Sequence, residues 1–223
     1  MCGLAGLFIP KTSESLNSNL DSMLRVMTHR GPDGDDSYLS SDNRYQIGFR
    51  RLAIIDLEKG SQPIKDPDGN LVLAGNGEIY NYRELRKKYK DYPWKTQGDM
   101  ETILPLAQEA GASFIDKFNG MFALALYETK EHRLTLIRDR LGIKPLYWAP
   151  LPGGGIVFAS EIKALFASGL IRPAIDEASV TTYLSHGWVP GPNTLFAGVK
   201  KLLPGHKLCI KADGKMIIDA YWR

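Results

Sequence analysis

The chain has 223 residues, of which 43% are hydrophobic and 24% are charged, which is typical of a soluble globule with one large domain or one domain and an appendage. Its formal net charge of +3 is too small and too dispersed to indicate a nucleic-acid partner. No apolar run reaches membrane-spanning length and no charged leader precedes the globular pattern, so we expect a cytoplasmic protein without a membrane partner.

Strands and helices are mixed along the chain. The apolar run GLAGLF predicts a buried strand at residues 3–8, and apolar residues at helical spacing predict a helix over about residues 15–28 that ends in HRGPDGDD. The later predicted elements are a strand in YQIGFRRLAII (45–55), a turn in DPDG (66–69), a strand in LVLAG (71–75), helices over 82–90 and 101–110, a hairpin joining 121–127 to 133–139, a hairpin turn at 152–155, helices over 161–169 and 177–184, and a hairpin turning at 213–214. Pro105 should kink the helix over 101–110 or delay its start.

Short strands joined by hairpins and interspersed with amphipathic helices indicate an α+β protein with mainly antiparallel sheets. Several of these strands are apolar on both faces, which suits sheets that are covered on both sides. The pattern favours a four-layer α-β-β-α sandwich over a half-exposed sheet, although periodicity alone does not decide between them.

The cysteines and histidines do not predict a metal site. Cys2 and Cys209 lie far apart and form neither a disulfide framework nor a CxxC motif, and the four histidines are scattered. Cys209 lies in the alternating pattern HKLCIKA, which favours a place in the core. Sparse, unpaired cysteines fit a reducing compartment.

Cys2 directly follows Met1, at the start of an apolar strand. A free thiol has a pKa of about 8.5 and is only a few per cent thiolate at neutral pH. If Met1 is removed, the α-amine of Cys2, with a pKa of about 7.7–8.0 in free form, can accept the thiol proton. One residue then supplies nucleophile and general base, as in N-terminal threonine and cysteine hydrolases; the alternative is a small apolar residue at a strand start.

Seven motifs follow Cys2 in order: HRGPDG (29–34), RRLAIIDL (50–57), NGEIYNY (76–82), GDMET (98–102), FNGMFALALY (118–127), RDRLGIKPLY (138–147) and FASEIKAL (158–165). With these motifs the chain resembles the class II glutamine amidotransferases, above all the glutaminase domain of asparagine synthetases. The resemblance implies the fold of the N-terminal nucleophile hydrolases. It also implies an amidotransferase domain over residues 2–210, with residues 211–223 as the last strand and the start of a linker to an ATP-dependent synthetase domain.

The resemblance implies catalytic roles for Cys2, Asn76 and Gly77. Cys2 would attack the side-chain amide carbon of glutamine, forming a thioester and releasing ammonia. The Asn76 side chain and the Gly77 backbone N–H would stabilise the oxyanion, and the missing Cβ of Gly77 would let the backbone approach the reacting centre. The alternative for Asn-Gly is a type I′ hairpin turn, for which a matching return strand is missing.

The resemblance also implies how the amino-acid end of glutamine is bound. Arg51 would hold the α-carboxylate in a bidentate pair, while Arg50 on the same strand would point to the opposite face. Asp99 and Glu78 would face the α-ammonium, although Asp99 could also be a helix N-cap. Gly98 stands where many relatives carry serine.

Other polar residues in these motifs are expected to be structural. Three roles are predicted: cations that satisfy carbonyls at the end of the first helix (His29, Arg30), a charge network under the active-site loops (Arg138, Asp139, Lys144), and caps of the helix that follows them (Ser160, Glu161).

The expected function is hydrolysis of glutamine to glutamate and ammonia. No cofactor or metal is expected for this reaction, and ATP and Mg²⁺ are expected only in the synthetase domain, in the same or a partner chain; a homodimer is left open. The GWVPGPNT stretch (187–194) favours the asparagine synthetase branch. The alternatives are an amidotransferase for another acceptor (a sugar phosphate or a phosphoribosyl donor) and a non-catalytic docking paralogue that retains Met1.

Overall fold

The computed structural model describes residues 1–10 and 20–223. Within these residues the chain forms the following strands, in chain order: β1 (Gly3–Phe8), β2 (Gly34–Leu39), β3 (Tyr45–Arg51), β4 (Ile64–Lys65), β5 (Leu71–Ile79), β6 (Gly120–Glu128), β7 (Arg133–Arg138), β8 (Tyr147–Pro150), β9 (Ile156–Ala159), β10 (Lys200–Lys201), β11 (His206–Ile210) and β12 (Met216–Ala220). The α-helices are α1 (Leu20–Arg25), α2 (Tyr82–Lys88), α3 (Ile103–Ala110), α4 (Ile162–Ala167) and α5 (Glu177–His186).

The strands form two antiparallel sheets. The first sheet has the order β10-β8-β9-β1-β3-β2, and the second has the order β12-β11-β7-β6-β5-β4. Their facing sides share one apolar core, in which the rings of Tyr45 from β3 and Tyr127 from β6 stack with centroids 4.4 Å apart. Burial of such large aromatic surfaces is a main source of stability in a sandwich.

Helices cover the outer face of each sheet. Met23 and Leu24 of α1 and Leu165 of α4 pack on the first sheet, while Leu104 of α3 and Leu85 of α2 pack on the second. The expected four-layer α-β-β-α sandwich is confirmed. Strands apolar on both faces were therefore a correct sign of sheets covered on both sides.

Three predicted elements differ from those observed. Residues 15–19 of the first predicted helix lie outside the described residues, and α1 ends at Arg25 before a 3₁₀ turn at Thr28–Arg30. The strand predicted over 45–55 ends at Arg51, and its apolar continuation is a loop in which Ile54 is exposed. The strand predicted over 71–75 continues to Ile79.

The helix containing Pro105 begins late, as the proline predicted. A 3₁₀ turn occupies Met100–Thr102 and α3 starts at Ile103, so Pro105 lies in the first helical turn. Backbone N–H groups in that turn have no partner within the helix, and the missing N–H of proline costs nothing there.

The last hairpin, β11–β12, lies on both sides of the predicted domain boundary at residues 210/211. Its turn at Asp213 and Gly214 is the one that the sequence predicted, with Gly214 in the left-handed region at φ 82°. The division into residues 2–210 and 211–223 stays a prediction.

Candidate active site

One cavity brings together all six residues predicted for catalysis and glutamine binding. They are Cys2, Arg51, Asn76, Gly77, Glu78 and Asp99. The register of the first sheet explains why Cys2 and Arg51 are neighbours. Gly3 lies opposite Arg50, so Cys2, just before β1, lies beside Arg51, the last residue of β3. Strand β5 of the second sheet supplies residues 76–78.

The Cys2 thiol is half-buried and held against the residue that follows β3. The Leu52 N–H donates to Cys2 Sγ at 3.3 Å, and the thiol lies 3.5 Å from the Leu52 carbonyl oxygen. Met1 is 58% exposed and also lines the cavity. The thiol therefore faces the cavity from a fixed position, next to the chain end.

Arg30 holds the backbone of Cys2 rather than the end of α1. Its Nε donates to the Cys2 carbonyl oxygen at 3.0 Å, and its Nη1 donates to Glu161 at 3.0 Å. His29 also contacts Glu161, at 2.9 Å. Both cations lie in the last turn of the 3₁₀ helix that follows α1, as predicted, but their side chains bind a carboxylate and a carbonyl from distant segments instead of last-turn carbonyls.

Glu161 occupies the predicted N-cap position of α4, but neither it nor Ser160 uses its side chain to cap that helix. Ser160 Oγ accepts a hydrogen bond from the Leu4 N–H at 3.1 Å, and Glu161 makes no capping hydrogen bond to α4. Both side chains instead stabilise the segment around the start of β1, where the thiol is placed.

Asn76 and Gly77 lie inside β5, opposite Ala123 and Phe122 of β6, so the hairpin-turn alternative for this Asn-Gly pair is wrong. Asn76 is 1% exposed, and its side-chain nitrogen has no hydrogen-bond partner among the described residues. A buried amide donor without a partner is costly. Its position in the wall of the cavity provides a donor for an oxygen atom bound there.

The free edge of β5 presents a second donor. Peptide N–H groups alternate between the two sides of a strand, so those of Gly75, Gly77 and Ile79 share the side that faces away from β6. The Gly75 N–H donates to Gln62 Oε1 at 2.6 Å and the Ile79 N–H to Asp99 Oδ2 at 2.7 Å. The Gly77 N–H lies between them, facing the cavity.

Glycine at position 77 is needed by the sheet rather than by the reacting centre. A Cβ on Gly77 would lie 2.0 Å from the Met121 carbonyl oxygen. The predicted reason, that the missing Cβ lets the backbone approach the substrate, is therefore replaced by close packing of β5 on β6. Gly98, which also lines the cavity, has no such constraint, since among the described residues a Cβ there would meet only Thr96 Oγ1, at 3.4 Å.

Arg51 and Arg50 point in opposite directions, as their strand positions predict. The Arg51 guanidinium lies in the cavity, where Nη1 donates to the Leu57 carbonyl oxygen at 3.0 Å and Nη2 donates to that of Asp56. Arg50 pairs with Asp35 at 2.9 Å instead. Carbonyl contacts orient Arg51 without neutralising its charge, which leaves a cation available to an anion.

Asp99 and Glu78 give the cavity a negative wall. Asp99 is 7% exposed, and burial raises its pKa above the ordinary value; the charge of Glu78 adds to this, while the Ile79 N–H opposes it. Asp99 occupies the N-cap position of the 3₁₀ turn, as the alternative predicted, but its side chain makes no capping bond there and its Oδ2 instead accepts from the Ile79 N–H. A buried carboxylate of this kind favours a cationic partner.

The Arg138, Asp139 and Lys144 group is structural, but it binds backbone rather than forming a charge network. Asp139 accepts hydrogen bonds from the backbone N–H groups of Phe122, Leu141, Ile143 and Lys144. Arg138 donates to three carbonyl oxygens, those of Lys144, Leu202 and Gly142. Lys144 also lines the cavity.

Sequence reasoning missed Gln62. This residue lines the cavity and is 8% exposed, and its amide makes two hydrogen bonds to Gly75. Its local sequence, SQPI, carries no periodic pattern, so only the fold shows which backbone it meets.

The described residues show neither a metal-binding cluster nor a membrane-spanning helix. Within residues 1–10 and 20–223, no group of three or more His, Cys, Asp or Glu side chains is placed to hold a metal ion. Among the same residues, no helix has the length and apolarity needed to cross a membrane. The expectations of no cofactor for the reaction and of a cytoplasmic location stay predictions.

Comparison with known sequences identifies the family. The profile of a family described as "Glutamine amidotransferase domain" matches residues 1–222. Asparagine synthetase [glutamine-hydrolyzing] 2 of Bacillus subtilis is 41% identical over 75% of the chain and 22% of its own length, and asparagine synthetase [glutamine-hydrolyzing] 1 of the same organism is 37% identical over 100% and 35%. Asparagine synthetase B of Escherichia coli is 43% identical over 74% of the chain and 30% of its own length. The chain thus spans about a third or less of the length of these relatives.

Solved structures share the fold at low identity. The allosteric regulatory enzyme of purine biosynthesis matches 99% of the chain with a TM-score of 0.73 and 18% identity, over 49% of its own chain. Glutamine phosphoribosylpyrophosphate amidotransferase from B. subtilis matches 99% of the chain with a TM-score of 0.70 and 17% identity, again over 49% of its own chain. At these identities the likeness is one of fold.

Proposed function

The chain belongs to the glutamine amidotransferase domain family, and we propose that it hydrolyses glutamine to glutamate and ammonia through a thioester on Cys2. The observation that carries this proposal is the convergence on one cavity of a thiol at the chain start, an unpartnered buried amide at Asn76 and an arginine at position 51. These groups come from both sheets and match the three needs of the reaction: a nucleophile, an oxyanion site and a carboxylate site.

The amino-acid end of glutamine would be fixed by opposite charges. The α-carboxylate pairs with Arg51 and the α-ammonium with Asp99, with Glu78 beside it. These contacts place the side-chain amide over Cys2 Sγ. Such positioning of reacting atoms is itself a large part of catalysis.

The first half of the reaction forms the thioester. The α-amine of Cys2 takes the thiol proton, and the sulfur attacks the amide carbon of glutamine. Asn76 Nδ2 and the Gly77 N–H bind the oxyanion. As the C–N bond breaks, the α-ammonium returns the proton to the leaving nitrogen, which departs as ammonia.

The second half releases glutamate. The α-amine takes a proton from water, and the hydroxide oxygen attacks the thioester carbon while the same donors bind the new oxyanion. The C–S bond breaks, and the proton returns to the sulfur. This mechanism requires that the peptide bond between Met1 and Cys2 be cleaved, because an amide nitrogen at Cys2 cannot act as a base.

The ammonia would serve ATP-dependent synthesis of asparagine by a synthetase part outside this chain. Relatives at 37–43% identity are named asparagine synthetases, and the match covers only 22–35% of their length, which supports this acceptor over a sugar phosphate or a phosphoribosyl donor. ATP and Mg²⁺ would bind that synthetase part. Dimer formation stays a prediction.

Ammonia release from glutamine tests the proposed hydrolysis, with the wild-type protein beside Cys2→Ala and Cys209→Ala. Cys209 lies on β11, away from the cavity, and is the only other cysteine, so its variant is a matched control. We expect activity in the wild type and Cys209→Ala and none above background in Cys2→Ala. Equal release from all three proteins would reject the nucleophile, and a protein that retains Met1 would support the docking-paralogue alternative.

A further inference from the structure

We propose that Gln62 is a positioning residue that sets the geometry of the oxyanion donors at Asn76 and Gly77. Its side chain replaces a missing strand beside β5, one residue before Asn76. This inference rests on the proposed hydrolysis of glutamine. It assigns Gln62 no contact with the substrate.

Strand β4 is too short to pair with the part of β5 that carries Asn76 and Gly77. It consists of Ile64 and Lys65, which lie opposite Leu73 and Val72. Continuing this register would place residue 62 opposite Gly75. From Gly75 onwards the backbone of β5 has β6 on one side, and among the described residues no strand pairs with it on the other.

The Gln62 amide provides both hydrogen bonds that a strand would have made there. Its Oε1 accepts from the Gly75 N–H at 2.6 Å, and its Nε2 donates to the Gly75 carbonyl oxygen at 3.1 Å. The side chain is 8% exposed, so water does not readily replace it. Both ends of the amide are engaged with backbone.

Gln62 and Asp99 form the two ends of a clamp on this edge of β5. Gln62 binds the N–H of Gly75, Asp99 binds that of Ile79, and the Gly77 N–H lies between them. Two bound groups on either side leave the central N–H aimed at the cavity. Asn76 lies between the Gln62 anchor and that N–H, so its side-chain direction depends on the same anchor.

The segment needs this anchor because two of its residues are glycines. Gly75 and Gly77 have no side chains to limit rotation of the backbone, and glycine is the most mobile residue type. Donors for an oxyanion must be held within about 0.5 Å of the productive geometry. Hydrogen bonds to the backbone are the remaining means of fixing Gly75 on the side away from β6.

Losing the anchor should slow the chemical step more than it weakens binding. Removing an oxyanion donor outright costs about 10²–10³ in rate, and misplacing it should cost less. For Gln62→Ala we expect a kcat about ten- to a hundredfold lower, with the KM for glutamine changed by less than about threefold. Gln62→Glu keeps the acceptor for the Gly75 N–H and loses the donor, so it should lie between Ala and wild type.

The test measures glutaminase kinetics and thiol alkylation on the same proteins, in a Cys209→Ala background where Cys2 is the only thiol. Alkylation by iodoacetamide is a displacement at carbon that needs no oxyanion site, so its rate reports the placement of Cys2 alone. The control is Gln108→Ala, because Gln108 also makes a side-chain amide hydrogen bond, to Asp66 at 2.8 Å, but lies outside the cavity. Its kcat and alkylation rate should match those of the parent protein.

The expected result is a loss of kcat in both Gln62 variants with an alkylation rate within about twofold of the parent. An unchanged kcat in both variants, or a parallel fall in kcat and alkylation, would overturn the positioning role. If Gln62→Ala does not fold, Gln62→Glu decides by the same two rates. A parent protein that releases no ammonia would reject the proposed function itself, and that result is obtained before any variant is compared.

Discussion

The Leu52 N–H donates a hydrogen bond to the sulfur of Cys2 at 3.3 Å. Leu52 directly follows Arg51, so the group proposed to attack glutamine and the group proposed to bind its carboxylate are fixed by adjacent residues. This link ties the start of β1 to the end of β3. A bound glutamine would have to span the gap between these two groups, with its α-carboxylate at Arg51 and its side-chain amide at the thiol.

Replacing Arg51 should weaken glutamine binding. Charge-assisted hydrogen bonds contribute about 1.5–3 kcal/mol, so Arg51→Ala should raise the KM roughly tenfold to a hundredfold with a smaller change in kcat. The matched control is Arg50→Ala, which loses the pair with Asp35 and should keep its KM. Steady-state kinetics on both variants checks this. If Arg51→Ala has the same KM as Arg50→Ala and the wild type, the carboxylate of glutamine is bound by another residue.

Asn76→Ala should lower activity without lowering stability. Its side-chain nitrogen has no partner among the described residues, so little is lost in the free protein, while loss of an oxyanion donor costs about 10²–10³ in kcat, or about 2.7–4 kcal/mol. Asn81 offers the opposite case, because its side chain bonds to the backbone of Asn119 and Lys117. Asn81→Ala should lower the melting temperature and leave kcat close to that of the wild type. A normal kcat in Asn76→Ala would contradict the assigned role.

Gly77→Ala should destabilise the fold. The new Cβ would lie 2.0 Å from the Met121 carbonyl oxygen, and overpacking of this kind typically costs about 1–3 kcal/mol. Gly98→Ala is the control from the same cavity, because its Cβ would be in ordinary contact with Thr96. Thermal unfolding should show a lower melting temperature for Gly77→Ala alone. Matching values for the two variants would mean that β5 and β6 are not closely packed at residue 77.

Glutamine affinity should fall as the pH is lowered from neutral. Burial raises the pKa of Asp99 above the ordinary carboxyl value, so its charge is lost at a higher pH than that of an exposed aspartate. A bound α-ammonium favours the charged form and lowers this pKa, so binding weakens through the window between the two values. Calorimetry of glutamine binding to Cys2→Ala measures the affinity at each pH without turnover.

The matched variant for that titration is Asp99→Asn, which keeps an oxygen to accept the Ile79 N–H. Its affinity should be weaker and independent of pH in the same window. A flat pH profile with Asp99 present would remove this carboxylate from the ammonium site.

Much of the fold can be predicted from the sequence because it depends on local patterns of apolar and turn residues. The turns at Asp66–Gly69 and Asp213–Gly214, and the hairpin between β6 and β7, follow from turn residues between apolar runs. The six residues in the cavity came from motifs and family resemblance rather than from periodicity. The apolar run after Arg51 misled, because Ile54 is 73% exposed in a loop at the cavity.

The rest depends on contacts between distant segments. Ser160 meets Leu4, 156 residues away, and Arg30 meets Cys2 across 28 residues. Gln62 binds Gly75 and lies just before β4, a two-residue strand that is too short to show an alternating pattern. Local propensity assigned Ser160 to a helix cap and Arg30 to the end of a helix, whereas folding gave both side chains backbone partners in distant segments.

The most direct test of the account is a mass measurement on protein quenched with acid during glutamine turnover. We expect a mature chain that starts at Cys2 and carries a glutamyl group, which peptide mapping places on that residue. Active protein that retains Met1, or a glutamyl group on any other residue, would contradict the mechanism.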